Sequence, residues 1–178
     1  LEVPLMQRFI LLLDQPTYSF GVVLFAVLVF SGVGSLCSPR LGRHRSWAIL
    51  LLAILALVYA LGADWLLHLV LGLPIAGRVV VAILAIAPLA FLMGIPFPSG
   101  IALLEARQPA LIPWAWGANG YASVVGSTAA ALIALTWGFS WVMLVSGGIY
   151  MVAWLAFLLA LNRWSSRQPE ARSGPALD

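Results

Sequence analysis

Long apolar segments without charge are the feature that most limits what this chain can fold into. Segment 17–38 contains no Asp, Glu, Lys or Arg. About 20 consecutive apolar residues are enough for a helix to cross the roughly 30 Å hydrocarbon core of a bilayer. Four further apolar segments follow along the 178 residues. Because backbone polar groups in lipid must be satisfied internally, each span is expected to be a helix.

The predicted fold class is all-α: an integral membrane helical bundle with four transmembrane helices plus a short N-terminal interfacial or partial helix. That N-terminal piece, 3–13, is too short to span and contains Arg8. A transmembrane helical domain, 1–161, is expected to precede a polar, disordered cytoplasmic tail, 162–178. Because the chain opens at Leu1 without a basic signal-peptide region, we also expect an incomplete or processed N-terminus. The candidate spans are about 17–38, 47–63, 75–93, 113–137 and 139–161.

Composition and charge exclude a soluble domain and a nucleic-acid partner. The chain is 63% hydrophobic and 8% charged, with a mean hydropathy of +1.05, far from the usual soluble composition. Its basic residues are mostly confined to one loop and the tail, which indicates topology and not a phosphate-binding face.

If the spans alternate in direction, the loop 39–46, the connection 94–112 and the tail share one side. The positive-inside rule makes that side cytoplasmic, with the C-terminus on it.

Span 113–137 has a stripe of small residues at the spacing that lets two helices approach closely in lipid. Two interpretations stay open: an interface for a partner or a second copy, or a contact inside the bundle. Span 17–38 has a weaker version of the same pattern. The stripe and its flanking residues are Ala118, Ala122, Ser123, Gly126, Ser127, Ala130 and Ala134, and the weaker set includes Ser31, Gly34 and Ser35.

A few polar side chains form a hypothetical polar site. Asn119 lies about one helical turn inside the membrane from two interfacial tryptophans, where a buried amide needs a hydrogen-bond partner. It could join two helices or line a solute path. The Gln7 and Arg8 pair and Ser99 are the other members of this hypothesis.

The string GIPFPSG, residues 94–100, is the most unusual local sequence. Its prolines lack amide donors and disfavour helix in the residue before them. In transporters, broken helices direct half-helix N-termini at anionic substrates. The alternative is that the string ends the span 75–93 at the membrane interface. The residues of this broken-helix motif are Gly94, Pro96, Pro98 and Gly100.

No constellation in the sequence predicts catalysis, a metal site or a cofactor. Asp64 and His68 share a helical face but supply only two ligands, too few for a closed metal site. The single cysteine, Cys37, allows no intrachain disulfide. The chain is therefore predicted not to be an enzyme. The bundle could still hold a lipid or a pigment, and its expected partners are membrane lipids and other membrane protein subunits.

Several stretches resemble a known family. Together they resemble the transmembrane portion of bacterial membrane-bound spermidine synthase-like proteins, in which helices are joined to an aminopropyltransferase-type Rossmann domain. The resemblance covers nearly the whole chain apart from 39–80 and the tail. The stretches are EVPLMQRFILLLDQPTYSFGVVLFAVLVFSGVGSL, PLAFLMGIPFPSGIALL, PWAWGANGYASVVGS and GFSWVMLVSGGIYMVAWL.

The resemblance implies the membrane module without the catalytic domain. This chain has no strand, Gly-rich loop and helix unit of the dinucleotide-binding kind, and no acidic residues placed to bind a polyamine. The resemblance also implies a location in the bacterial inner (cytoplasmic) membrane.

The predicted function is a non-catalytic scaffold or accessory subunit packed against partners in a larger membrane protein complex. Two alternatives stay open: a small-solute transport or binding protein, and the membrane part of a spermidine synthase-like enzyme.

Overall fold

The structure is a computed structural model that describes residues 16–70 and 72–165. All regular secondary structure within those ranges is helical. The predicted N-terminal partial helix, with Gln7 and Arg8, and the tail beyond residue 165 lie outside the described residues. The helices are α1 Pro16–Cys37, α2 Arg45–Val70, α3 Ile75–Met93, α4 Pro96–Glu105, α5 Ile112–Trp137 and α6 Phe139–Ser165. Two 3-10 segments, Ser38–His44 and Pro109–Leu111, join α1 to α2 and α4 to α5.

Five helical segments of the described chain are long and apolar enough to cross a membrane. The chain is therefore a helical membrane protein. The count of four transmembrane helices plus a partial helix is not confirmed, because the shortest of the five already has 18 residues, within the range that spans a bilayer. The segments are Thr17–Gly42, Arg45–Gly62, Ile75–Glu105, Pro109–Trp137 and Phe139–Asn162.

The core of the bundle is built by four helices, α1, α2, α3 and α6. Helix α1 packs mainly against α3, and α2 packs mainly against α6. The fully buried side chains include Val23 of α1, Leu52 of α2, Ile86 of α3 and Met143 of α6. Helix α5 contributes no buried residue. It therefore lies outside this core.

The crossing of α1 and α3 depends on two glycines. A Cβ atom at Gly34 would overlap the backbone carbonyl of Phe91, and a Cβ atom at Gly94 would overlap that of Ser31. The same added atom at Gly94 would lie 2.9 Å from the backbone nitrogen of Ser35. Small residues allow such close approach of two backbones in lipid. The weaker small-residue set of α1 therefore lies at a contact inside the bundle.

The string GIPFPSG redirects the chain without unwinding it. Gly94 and Ile95 keep right-handed helical backbone angles, so α4 begins at Pro96 shortly after α3 ends at Met93. The amide of Gly94 donates to the carbonyl oxygen of Ala90 at 3.3 Å. Proline is tolerated here because the first residues of a helix need no amide donor. The result is a kinked helical pair.

A one-residue turn joins α5 and α6. Gly138 has φ 89° and ψ 169°, a conformation that glycine adopts readily and other residues rarely do. Its amide donates to the carbonyl oxygen of Ala134 at 3.0 Å. Helices α5 and α6 are therefore the two arms of a tight helical hairpin.

Candidate functional site

The small-residue stripe of α5 separates from the bundle as it runs away from the Gly138 turn. Ala134 and Ala130, which are nearest the turn, are half-buried, whereas the stripe residues farther along are exposed. Each step of four residues turns the stripe by about 40° around a helix of 3.6 residues per turn, so the stripe winds away from α6 along its length. We call the exposed part of the stripe, with its flanking serines, the α5 surface. It consists of Ala118, Ala122, Ser123, Gly126 and Ser127.

The hydroxyl groups of the α5 surface are satisfied by its own helix. Ser123 Oγ donates to the carbonyl oxygen of Asn119 at 2.8 Å, and Ser127 Oγ donates to that of Val124 at 2.9 Å. Such bonds to the preceding turn satisfy a hydroxyl in lipid without any other helix. The α5 surface thus combines small side chains with hydroxyl groups that are already hydrogen-bonded. Both features suit the close approach of another helix.

Within the part of the chain that the structure describes, the space beside Gly126 of the α5 surface is open. A Cβ atom added at Gly126 would meet no heavy atom within 4 Å. By contrast, a Cβ atom added at Gly147 of α6 would lie 2.8 Å from the side chain of Leu57 on α2. Gly147 of α6 is therefore used for packing inside the bundle, and Gly126 of the α5 surface is not.

A cleft of about 590 Å³ opens between α4, α5 and α6. Small-molecule sites commonly have volumes of about 300–1,000 Å³. Phe97 and Gly100 line the cleft from α4, Asn119 from α5 and Tyr150 from α6, and the remaining lining residues are apolar. None of the lining side chains that the structure describes is charged. The cleft is therefore an apolar site with few polar atoms.

Asn119 is the polar-site residue that lies in the cleft. It is joined there by Pro96 and Gly100 of the broken-helix motif. Its side chain is exposed, and within the described part of the chain its amide group makes no hydrogen bond. It is seven residues beyond Ile112, the first residue of α5, which corresponds to about 10 Å along the helix axis. An amide at that depth is costly unless something pairs with it.

Ser99 points away from the cleft into the bundle. It is fully buried, and its Oγ lies 3.0 Å from Oγ of Ser38. Its backbone amide donates to the carbonyl oxygen of Ile95 at 3.2 Å. This amide is therefore already used and does not face an anion. Pro98 of the same motif is half-buried.

The cleft residue Phe97 makes an aromatic contact with Trp116 of α5. The rings of Phe97 and Trp116 make an edge-to-face contact, with centroids 4.8 Å apart and an interplanar angle of 77°. Such perpendicular pairs are a favoured aromatic geometry. The contact joins α4 to the first part of α5, at the end of the hairpin opposite Gly138.

The cleft contains residues that the sequence did not single out. Phe97 lies within GIPFPSG, where the prediction of a broken helix depends on the prolines and not on Phe97. Tyr150 lies in an uninterrupted apolar span and was not singled out. A tyrosine in the middle of a span was the available clue, because its hydroxyl is a polar group that usually finds a partner when buried.

Among the described residues, no charged or metal-ligating side chain lines the cleft. Arg78 Nε donates to the carbonyl oxygen of Leu73 at 2.9 Å, which holds the guanidinium at the N-terminal end of α3. In residues 16–70 and 72–165, no three His, Cys, Asp or Glu side chains come together as a metal site. The side chains of Asp64 and His68 lie outside the described part of the structure.

The geometry thus defines an exposed small-residue surface on α5 and an apolar cleft beside it. The family resemblance rests on the sequence motifs alone and stays a prediction. No protein-family model, curated protein or solved structure matches this chain.

Proposed function

We propose that the chain is a non-catalytic membrane module, a scaffold or accessory subunit that packs against a transmembrane helix of a partner protein through the α5 surface. The observation that carries the proposal is the position of α5, which spans 26 residues and buries none of them. The other four long helices share a buried core. Among the described residues, one long helix is therefore left without a packing partner on its small-residue side.

Lipid exposure alone does not argue for a partner, because lipid tails are as apolar as leucine side chains. Large apolar residues are exposed on several helices of this bundle, including Leu84 on α3 and Leu135 on α5. The α5 surface differs because its residues are small. Small residues in membranes favour helix association by letting backbones approach.

We also propose the bacterial cytoplasmic membrane as the location, with the C-terminus in the cytoplasm. The 3-10 segment Ser38–His44 is in contact with α4. Arg40 in that segment and Arg107 just after α4 therefore lie toward one side of the bundle. The positive-inside rule favours this side as cytoplasmic. The resemblance to bacterial membrane proteins supports the same location.

Co-purification from native membranes in a mild detergent tests the scaffold proposal. The test variant is Gly126→Leu, and the matched control is Gly32→Leu on α1. Both glycines are helical and exposed, and an added Cβ atom at either meets no atom within 4 Å. Both changes also alter helix propensity by the same amount, up to about 1 kcal/mol.

The proposal expects a stoichiometric membrane protein to accompany the wild type and Gly32→Leu, and to be lost from Gly126→Leu. Equal retention by both variants would contradict it. So would a wild-type protein that purifies from native membranes without any stoichiometric partner.

The family resemblance suggests a more specific form of the proposal, in which the chain is the membrane part of a spermidine synthase-like enzyme. In that case the partner would be an aminopropyltransferase-type domain, in the same reading frame or in a separate subunit. Sequencing the reading frame and identifying the co-purified protein by mass spectrometry test this form directly.

A second candidate function, binding of a small molecule, is favoured by the cleft between α4, α5 and α6. The cleft brings Asn119 together with part of the broken-helix motif.

A further inference from the structure

We propose that the cleft between α4, α5 and α6 binds a neutral, lipid-like molecule with a flat, carbonyl-bearing head group of the quinone type. This binding function goes beyond the scaffold role. It depends on Phe97, Asn119 and Tyr150 and not on the α5 surface, so the two proposals can fail independently.

The hydrogen-bonding requirement comes from Asn119. Asn119 lines the cleft, and its side-chain amide makes no hydrogen bond within the described chain. Hydrocarbon offers no acceptor for the amide N–H groups. A carbonyl oxygen on a bound molecule would accept from them, and that molecule would then be held at one fixed depth.

The absence of charge among the described residues that line the cleft favours a neutral head group. A phosphate or carboxylate placed in the cleft would meet no cationic side chain among the residues that line it. Burying such a charge without a partner is strongly unfavourable. The bound head group is therefore uncharged.

The depth of Asn119 distinguishes this molecule from bulk phospholipid. Asn119 is three residues farther into the membrane than Trp116, or about 5 Å along the helix axis. Tryptophan side chains mark the level of the lipid head groups. A head group that reaches Asn119 therefore enters the hydrocarbon region. A compact neutral ring can enter that region, whereas a phospholipid head group does not.

The walls of the cleft favour a planar ring. Phe97 lines it from α4 and Tyr150 lines it from α6. Aromatic faces and edges pack well against another ring. The volume of about 590 Å³ is large enough for a ring and the first part of an apolar tail by comparison with typical ligand sites.

Titration of the purified full chain tests the proposal. The chain is reconstituted into phosphatidylcholine nanodiscs, and a decyl-substituted benzoquinone is added while tryptophan fluorescence is recorded. We expect saturable quenching at one probe per chain, superimposed on the linear quenching seen with partitioning. The saturable component should be lost in Trp116→Phe, because Trp116 contacts the cleft residue Phe97.

Two variants report on binding itself. Asn119→Leu removes the amide and should weaken the apparent affinity about tenfold, the effect of losing one buried hydrogen bond. Gly100→Leu places a side chain in the cleft and should abolish saturable quenching. The matched control is Gly148→Leu, since an added Cβ atom at either glycine meets no atom within 4 Å.

Three results would overturn the proposal. The first is quenching of the wild type that rises linearly with the concentration of probe in the membrane and has no saturable component. The second is equal affinity in the wild type, Asn119→Leu and Gly100→Leu. The third is a stoichiometric phospholipid that co-purifies and is not displaced by the quinone probe. Loss of quinone binding with retention of the protein partner would remove this inference and leave the scaffold proposal intact.

Discussion

The hydroxyl oxygens of Ser38 and Ser99 lie 3.0 Å apart in the buried interior of the bundle. Ser99 Oγ also donates to the carbonyl oxygen of Ile95 at 2.7 Å. Because a serine hydroxyl has a single proton, Ser38 is the donor and Ser99 the acceptor in the bond between them. This bond fixes the kink after α3 to the 3-10 segment that follows α1.

The donor assignment predicts unequal effects of two alanine substitutions. Ser99→Ala removes the acceptor and leaves the buried hydroxyl of Ser38 unsatisfied, which should lower the free energy of unfolding by about 1–3 kcal/mol. Ser38→Ala removes only a donor and should cost about 0.5–1.5 kcal/mol. Equilibrium unfolding in mixed micelles measures both, with Ser127→Ala as an exposed control. Equal losses would contradict the assignment.

The close crossing of α1 and α3 predicts opposite effects for two glycines of the same helix. Gly34→Ala should destabilise the bundle by about 1–3 kcal/mol, because the new methyl group overlaps the backbone of Phe91 and a backbone cannot easily move aside. Gly32→Ala adds the same methyl group in open space and should be neutral or slightly stabilising. The same unfolding assay distinguishes them. A Gly34→Ala variant as stable as Gly32→Ala would show that the crossing is looser.

Tyr59 is expected to stabilise the contact between α2 and α3. Its hydroxyl donates to the carbonyl oxygen of Ala85, in the helical turn that precedes Pro88, a residue without the amide hydrogen that regular helix bonding uses. Tyr59→Phe should lower the free energy of unfolding by about 0.5–1.5 kcal/mol. Tyr121→Phe, at an exposed site on α5, is the control and should have little effect.

The hairpin turn predicts a requirement for glycine at position 138. Gly138→Ala forces a side chain into a backbone conformation that glycine alone adopts easily, at a cost of about 1–3 kcal/mol. Gly148→Ala on α6, where the helix is regular and the space is open, should instead stabilise by up to about 1 kcal/mol. Thermal unfolding of the two variants in nanodiscs tests the difference. A Gly138→Ala variant with unchanged stability would rule out the strained turn.

The helical class and the presence of helices long and apolar enough to cross a membrane could be predicted from the sequence, because length and hydropathy alone identify them. The position of α5 outside the core could not be predicted in this way. A helix surrounded by lipid and a helix surrounded by apolar side chains have nearly the same composition. The small-residue stripe therefore allowed both an internal contact and an outer surface, and the structure shows Gly34 in the first situation and Gly126 in the second.

The candidate site was predictable only in part for a similar reason. Asn119 was identified because an amide within a span is unusual in any arrangement of helices. Its neighbours Phe97 and Tyr150 are common in apolar spans, and they share a cleft only because α4 and α6 converge there. Likewise, nothing in the local sequence connects Ser99 with Ser38, 61 residues earlier.

Oxygen accessibility of spin labels tests the central claim, that the α5 surface is open in the isolated chain and covered by a partner in the native membrane. Cys37, the single native cysteine, is first replaced by alanine. Labels are then placed at Ala122 on the α5 surface, at half-buried Ala130 on the same helix and at exposed Leu84 on α3. Purified protein in lipid vesicles is compared with native membranes.

We expect the label at Ala122 to be as accessible to oxygen as the label at Leu84 in purified protein, and to become protected in native membranes while Leu84 stays accessible. Accessibility at Ala122 no higher than at Ala130 in the purified protein would contradict the open surface, and unchanged accessibility at Ala122 in native membranes would contradict the partner.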